Sequence, residues 1–178
     1  MEELVVLVDE ENNVLGTMPK ASAHQARTPL HRAFSLFLFN PKGELLLQQR
    51  SGKKKTWPLV WSNSCCGHPG LDEKNEDAIR RRLSEELGLK RVNIFGSLPY
   101  RYCFLKDGIM ENEICPFFFG TTDESPDINP NEVEAIRWVK WADFMKETSN
   151  DSAEVFSPWC KEQSRLLANH PGFAKFIG

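Results

Sequence analysis

The 178-residue chain is poor in histidine, with four, has no C-x-x-C pair, and holds no apolar run near the ~18 residues of a membrane span. Each absence excludes something. The five cysteines, Cys65, Cys66, Cys103, Cys115 and Cys160, leave one over in any complete pairing, which argues for reduced thiols against a disulfide framework or a zinc ribbon. A net charge of -3 supplies no overall field for nucleic acid or an anionic membrane, so an anion must be bound locally. The acidic start Met1-Glu2-Glu3 lacks a charged-then-apolar leader, and a cytoplasmic location is expected. Internal repeats, low-complexity segments and clear linkers are also missing. What is present is ordinary for one globular domain with an aromatic-rich core: 40% hydrophobic and 26% charged residues, twelve Phe and five Trp.

Alternation and turn residues order the elements. Leu4 to Val8 and Val14 to Met18 read as an N-terminal hairpin around Glu10-Glu11-Asn12-Asn13. A strand from His31 to Phe39 turns at Asn40-Pro41-Lys42-Gly43 and returns as Glu44 to Gln49. Trp61 to Cys66 is extended and ends at Gly67, Pro69 and Gly70. A helix is expected at 76–87, N-capped by Asn75, with Glu76 and Asp77 at its positive end and Gly88 past its C-terminus. Strands at 91–104 and 109–121, joined near Lys106-Asp107-Gly108, precede a polar loop, Asp123 to Pro130, and a strand at 132–139. Helices near 141–148 and 157–169 finish the chain. Mixed strands without a βαβ rhythm indicate a mixed α/β sandwich rather than a doubly wound sheet.

The densest chemistry lies at Asn63-Ser64-Cys65-Cys66-Gly67-His68-Pro69 and in the helix after it. At ~100° per residue, Glu86 falls on the stripe of Ile79, Leu83 and Leu87, while Glu85 points to solvent. A carboxylate on a core-facing stripe needs a partner: Arg82 at i-4 can supply it, and so can a metal ion. The run Arg50-Ser51-Gly52-Lys53-Lys54-Lys55 reads either as a local anion site or as a solvated loop.

Gly67, Glu73, Arg81, Leu83, Glu85-Glu86 and Gly88-Leu89 resemble the Nudix box, G-x5-E-x7-R-E-U-x-E-E-x-G-U, in which loop and helix hold divalent metal on a diphosphate. One position departs: Arg82 stands where the box has Glu. A cation there disfavours ordinary Nudix hydrolysis and suits a ligand's phosphate. The segments Ser62 to Pro69 and Glu111-Asn112-Glu113-Ile114-Cys115-Pro116 resemble the signatures of type I isopentenyl diphosphate isomerase, a family with a Nudix-like fold. His24, His31, Arg50, Lys54, Trp57-Pro58, Tyr102 and Phe156-Ser157-Pro158-Trp159 follow in the family's order, so the resemblance covers nearly the whole chain. It implies one Nudix-like isomerase domain over 1–178, an α/β/α sandwich with a mixed sheet. Its N-terminal extension runs to about residue 28, and its box spans 67–89.

The resemblance further implies interconversion of isopentenyl and dimethylallyl diphosphate through a tertiary carbocation. Moving the double bond takes an acid and a base, which by resemblance are Glu113 and Cys66, with Glu113 delivering the proton and Cys66 removing the other. Tyr102 would orient Glu113, and Trp159 would face the cation; otherwise both are packing aromatics. His24, His31, His68, Glu111 and Glu113 would hold Mn2+, Mg2+ or Zn2+, a donor set that does not choose among them. Taken singly, each histidine also reads as a polar core or surface residue. Lys20, Arg50, Lys54 and Arg82 would hold the diphosphate, with Mg2+ on Glu86 bridging its oxygens. Alternation puts Glu111 and Glu113 on one strand face and separates Cys66 from Cys65, read as a packing residue. A monomer is expected, with a dimer as alternative, and neither nucleic acid nor membrane as partner. The alternative activities are a Nudix hydrolase of a nucleoside or prenyl diphosphate and a non-catalytic, metal-stabilised binding domain.

Overall fold

Residues 34–39, Phe-Ser-Leu-Phe-Leu-Phe, are buried along their whole length, which only a strand covered on both faces allows. In the computed structural model, which describes residues 3–177, this strand (β4, Phe34–Phe39) lies at the centre of the larger of two sheets. Phe37 and Phe39 face one apolar cluster, and Leu36 and Leu38 face the other. The period of two thus defines two cores on either side of one sheet.

The remaining strands are β1 (Leu4–Val8), β2 (Val14–Pro19), β3 (His31–Arg32), β5 (Glu44–Arg50), β6 (Trp61–Ser62), β7 (Cys65–Gly67), β8 (Asn93–Leu98), β9 (Arg101–Lys106), β10 (Ile109–Ile114), β11 (Phe117–Thr121) and β12 (Val133–Lys140). Among the described residues the smaller sheet has the order β2-β1-β3-β10-β9, and the larger has β12-β5-β4-β11-β8, with β6 on β5 and β7 on β4. The helix α2 (Asn75–Leu87) covers the Leu36 face through Ala78, Ile79, Leu83 and Leu87. The opposite face is covered by α3 (Trp141–Ser149), α4 (Pro158–Ala168) and α5 (Pro171–Ile177), through Phe144, Trp159, Cys160, Leu167 and Phe173. The α/β/α layering expected from the sequence is present, with two mixed sheets in place of one.

Three expected strands are broken, each for a local reason. The span 91–104 is interrupted at Pro99, and 109–121 at Cys115-Pro116, because proline has no N–H for a ladder. The span 31–39 breaks at Ala33, opposite that second interruption. His31 pairs with Glu113 and Ser35 with Phe117, so one parallel ladder leaves the smaller sheet and continues into the larger. The helix α1 (Lys20–Ala23) and α5 were not read from the sequence; α1 is a single turn, too short for a periodic signal. Helix α2 begins one residue early, at Asn75, so Lys74 is its N-cap and makes no side-chain capping bond. Gly88 ends it at φ 66 in the left-handed region, where glycine carries no Cβ penalty.

The strands β4 and β5 pair only at Phe39 and Leu45 and then splay apart. Into the gap goes Trp61 to Gly67, with β6 on β5 and β7 on β4. Ser64 ties the fork: its hydroxyl accepts from Leu38 N at 2.7 Å and donates to the Leu46 carbonyl at 2.6 Å. No described helix is long and apolar enough to cross a membrane.

Candidate active site

A cavity of about 320 Å³ opens between the two sheets. Its wall includes every residue to which the sequence reading gave a role, except His31, which is wholly buried behind it. The sheets contribute separately: β7 carries Cys66, and β10 carries Glu111 and Glu113.

His24 follows α1, His31 lies in β3 and His68 follows β7, yet one ring nitrogen from each lies within 4.8 Å of the others and of a Glu113 oxygen. The separations are 3.1 Å from His68 Nε2 to Glu113 Oε1, 3.4 Å from His31 Nε2 to the same oxygen, and 2.9 Å from His24 Nε2 to Glu111 Oε2. Ligands at ~2.1 Å from one ion and at right angles stand about 3 Å apart, so these spacings suit the edges of a coordination shell. The hydrogen bonds agree. His31 Nδ1 donates to the Pro29 carbonyl at 2.8 Å and His24 Nδ1 to the Lys20 carbonyl at 3.3 Å, which turns both Nε2 lone pairs inward. His24 Nε2, His31 Nε2 and Glu111 Oε2 are buried without a hydrogen-bond partner, an arrangement a cation would satisfy. The cluster of His24, His31, His68 and Glu113 can hold a metal, and Glu111 adjoins it through His24.

Glu113 is also the partner of Tyr102, its neighbour across β9 and β10, whose hydroxyl donates to Oε2 at 2.5 Å. Burial, then the Glu113 charge, pushes that hydroxyl well above the usual phenol range, so it stays a donor. Burial alone would raise the Glu113 carboxyl, but the His31 and His68 rings outweigh it and hold the group well below the usual carboxylate range. Cys66 behaves oppositely: burial pushes its thiol up to about 11, against the Ser35 hydroxyl and the Arg50 charge. A thiol therefore faces an ionised carboxylate.

Alternation separates the two cysteines as read. Cys65 packs with Ile79 and Leu83, its Sγ 3.9 Å from Glu86 Oε2, while Cys66 turns to the other core and the cavity. Trp159, in the first turn of α4, lies nearly parallel to Tyr102, with centroids 5.6 Å apart, and donates Nε1–H to Ser62 Oγ at 3.1 Å. The Arg50 guanidinium stands 5.7 Å from its ring. Arg50 also bonds the Thr56 and Trp57 carbonyls, and so shapes the basic loop without touching a carboxylate among the described residues.

Helix α2 turns Glu86 inward and Glu85 outward, as its period requires. Arg82 bonds Glu86 and, at 2.9 Å, both Glu85 and Glu132. Gly67 makes this approach feasible, since a Cβ there would meet Arg82 Cγ at 2.9 Å and the Phe34 ring at 3.0 Å. The remaining box residues form a clamp. Arg81 reaches both oxygens of Glu73 at 2.8 Å and the His68 carbonyl at 3.2 Å, while Glu73 accepts from Gly70 N at 2.6 Å.

Sequence reasoning assigned no role to the buried polar side chains behind Cys66. Its Sγ is 3.5 Å from Ser35 Oγ and 3.8 Å from Asn63 Oδ1, and Asn63 Nδ2 donates to Gln163 Oε1 at 2.9 Å, tying α4 to the thiol. Gln48, bonded to Glu86 at 2.9 Å, was also passed over. For Ser35 the signal was there, since it is the one polar residue in an otherwise apolar strand, whereas Gln48 is followed by Gln49 and Arg50 and does not stand out.

Comparison with known proteins agrees with this geometry. The NUDIX domain family matches residues 29–160. Isopentenyl-diphosphate Delta-isomerase of Corynebacterium efficiens is 47% identical over 99% of this chain and 94% of its own, and that of Saccharopolyspora erythraea is 45% identical over 90% and 84%. In fold, the chain is similar to DR0079 from Deinococcus radiodurans, with TM-score 0.70 and 22% identity over 92% of this chain and 98% of that one. The MutT protein from Methanosarcina mazei gives 0.60 and 19% over 80% and 97%. Sharing nearly half its residues with the isomerases along most of its length, and only the fold with these solved structures, the chain belongs to the type I isopentenyl-diphosphate Delta-isomerase family, within the NUDIX domain.

Proposed function

We propose that this chain interconverts isopentenyl diphosphate and dimethylallyl diphosphate in isoprenoid biosynthesis, with Glu113 and Cys66 as the acid–base pair. The observation that carries the reading is their placement: the two groups come from different sheets and meet one cavity, and no other described cavity has such a pair in its wall. The substrate alkene is a weak base, so it must meet a strong acid. A carboxyl held low is the stronger acid of the two groups, and the thiolate of a thiol near 11 is the stronger base. Glu113 protonates the terminal CH2 carbon, and the alkene electrons form the new C–H bond. A tertiary cation remains on the neighbouring carbon. Cys66 then removes a proton from the chain carbon on the other side, and that C–H pair becomes the new double bond. At rest the pair shares one proton, held on sulfur, so the reactive arrangement is the minor one.

Tyr102 holds the carboxyl through its hydrogen bond, and the Trp159 ring faces the cation while its neighbours keep water from trapping it. His24, His31, His68, Glu111 and Glu113 would hold Mn2+, Mg2+ or Zn2+, whose charge would favour ionised Glu113 and make its proton easier to give. Lys20, Arg50, Lys54 and Arg82 bind the diphosphate, and Glu86 would hold Mg2+, which would offset the diphosphate charge. Residues 1–178 act as one domain, because the segment before residue 29 supplies Lys20 and His24, and the domain works in the cytoplasm. Hydrolysis of the diphosphate is the lesser reading, since Arg82 engages the Glu86 carboxylate that a hydrolase would give wholly to metal.

The test incubates the metal-loaded protein with isopentenyl diphosphate in deuterated water and follows the products by NMR. Deuterated dimethylallyl diphosphate without phosphate release is expected. Phosphate release with no allylic product would sink the proposal. Cys66→Ala and Glu113→Gln should each lower turnover by about a thousandfold or more in a folded protein; near-normal turnover in either removes its role.

A further inference from the structure

Two of the cations read above as diphosphate ligands are already engaged by one carboxylate. Glu132 Oε2 lies 2.9 Å from Arg82 Nη2 and makes a short contact with Lys54 Nζ. With Glu85 and Glu86 also on Arg82, three carboxylates engage these two cations of the cavity wall, and of the three only Glu86 itself lines the cavity. They are not equivalent. Glu86 is buried and held by Gln48 as well as Arg82, and Glu85 sits on the outer face of α2. Glu132 precedes β12, its side chain is 27% exposed, and among the described residues its carboxylate accepts from Lys54 and Arg82 alone.

The backbone around Glu132 is fixed to the basic loop. Ser51 N donates to the Glu132 carbonyl at 3.2 Å, Lys53 Nζ reaches Asn131 Oδ1 at 2.6 Å, and Lys54 N bonds Ser51 O at 3.1 Å. The carboxylate can therefore swing toward solvent while the loop that carries Lys54 keeps its place.

We propose that Glu132 is an internal anion that occupies Lys54 and Arg82 in the substrate-free enzyme and is displaced by the diphosphate of the substrate, which makes it a determinant of diphosphate affinity. A tethered carboxylate competes at high effective concentration, yet it brings one negative charge where a diphosphate brings more, so the ligand wins and binds less tightly than the cations alone would allow. This inference rests on the diphosphate-binding reading of Lys54 and Arg82.

Inorganic pyrophosphate with Mg2+ is titrated calorimetrically into the wild-type holoenzyme, Glu132→Gln and Lys54→Gln, and KM for isopentenyl diphosphate is measured for each. Removing the competing charge should tighten pyrophosphate about three- to tenfold and lower KM in step. Lys54→Gln should weaken both. If Lys54→Gln weakens binding while Glu132→Gln leaves it unchanged or weaker, Glu132 supports the site and the proposal is overturned, with the diphosphate reading intact. If Lys54→Gln has no effect, the diphosphate reading of Lys54 itself fails and takes the inference with it.

Discussion

The role proposed for Tyr102 rests on one hydroxyl. It donates at 2.5 Å to the Glu113 oxygen that faces away from the histidines, while its ring stacks on Trp159. Tyr102→Phe keeps the ring and removes the donor. Turnover should fall about 10- to 100-fold, or roughly 1.4 to 2.7 kcal/mol of barrier, with stability changed by about 1 kcal/mol. Steady-state kinetics beside a denaturant melt would check this, and unchanged turnover would leave the tyrosine as packing. Carboxylates, histidines and thiols were legible as types in the sequence. A lowered Glu113 was expected from a cation bound beside it, but the high Cys66 thiol was not legible, because it arises from burial by segments remote in the chain.

Helix α2 was the most legible element, because its period and the glycine after its last turn act within a few residues. The inward Glu86 and outward Glu85 followed from that period alone. The fork between β4 and β5 was not legible, since nothing in Leu36 to Leu47 announces that the strands will part and admit β6 and β7. Gly67 links the two, lying where β7 touches α2. In Gly67→Ala the new Cβ would press on the buried Phe34 ring at 3.0 Å and on Arg82 Cγ at 2.9 Å. A loss of about 1 to 3 kcal/mol is expected, seen as a melting point lower by roughly 2 to 12 °C. A melting point within a degree of wild type would mean that helix and strand have room to spare.

The four residues that can hold a metal come from distant parts of the chain: the turn after α1, the start of β3, the residue after β7 and the C-terminal half of β10. An ion there should stabilise the whole fold, because an unfolded chain has no such cluster. With metal at about 100 times its dissociation constant the gain is about 2.7 kcal/mol, or roughly 5 to 10 °C for a chain of this size. Chelation should lower the melting point by that amount, and Mn2+ or Zn2+ should restore it. Equal melting points with and without chelator would show that these residues bind no structural ion.

By itself the sequence determined what depends on near neighbours: the alternation of β4, the amphipathic turn of α2, the opposed faces of Cys65 and Cys66, and the motifs that mark the family. Tertiary structure alone decided what depends on contact between distant segments. One parallel ladder crosses two sheets at Ala33 and Cys115-Pro116, Cys66 and Glu113 reach one cavity from different sheets, and Glu132 meets Arg82 from 50 positions away and Lys54 from 78. The physical reason is range. Periodicity reports which side of a strand or helix is apolar, whereas pairing is settled by the packing of whole faces, to which any single residue contributes little.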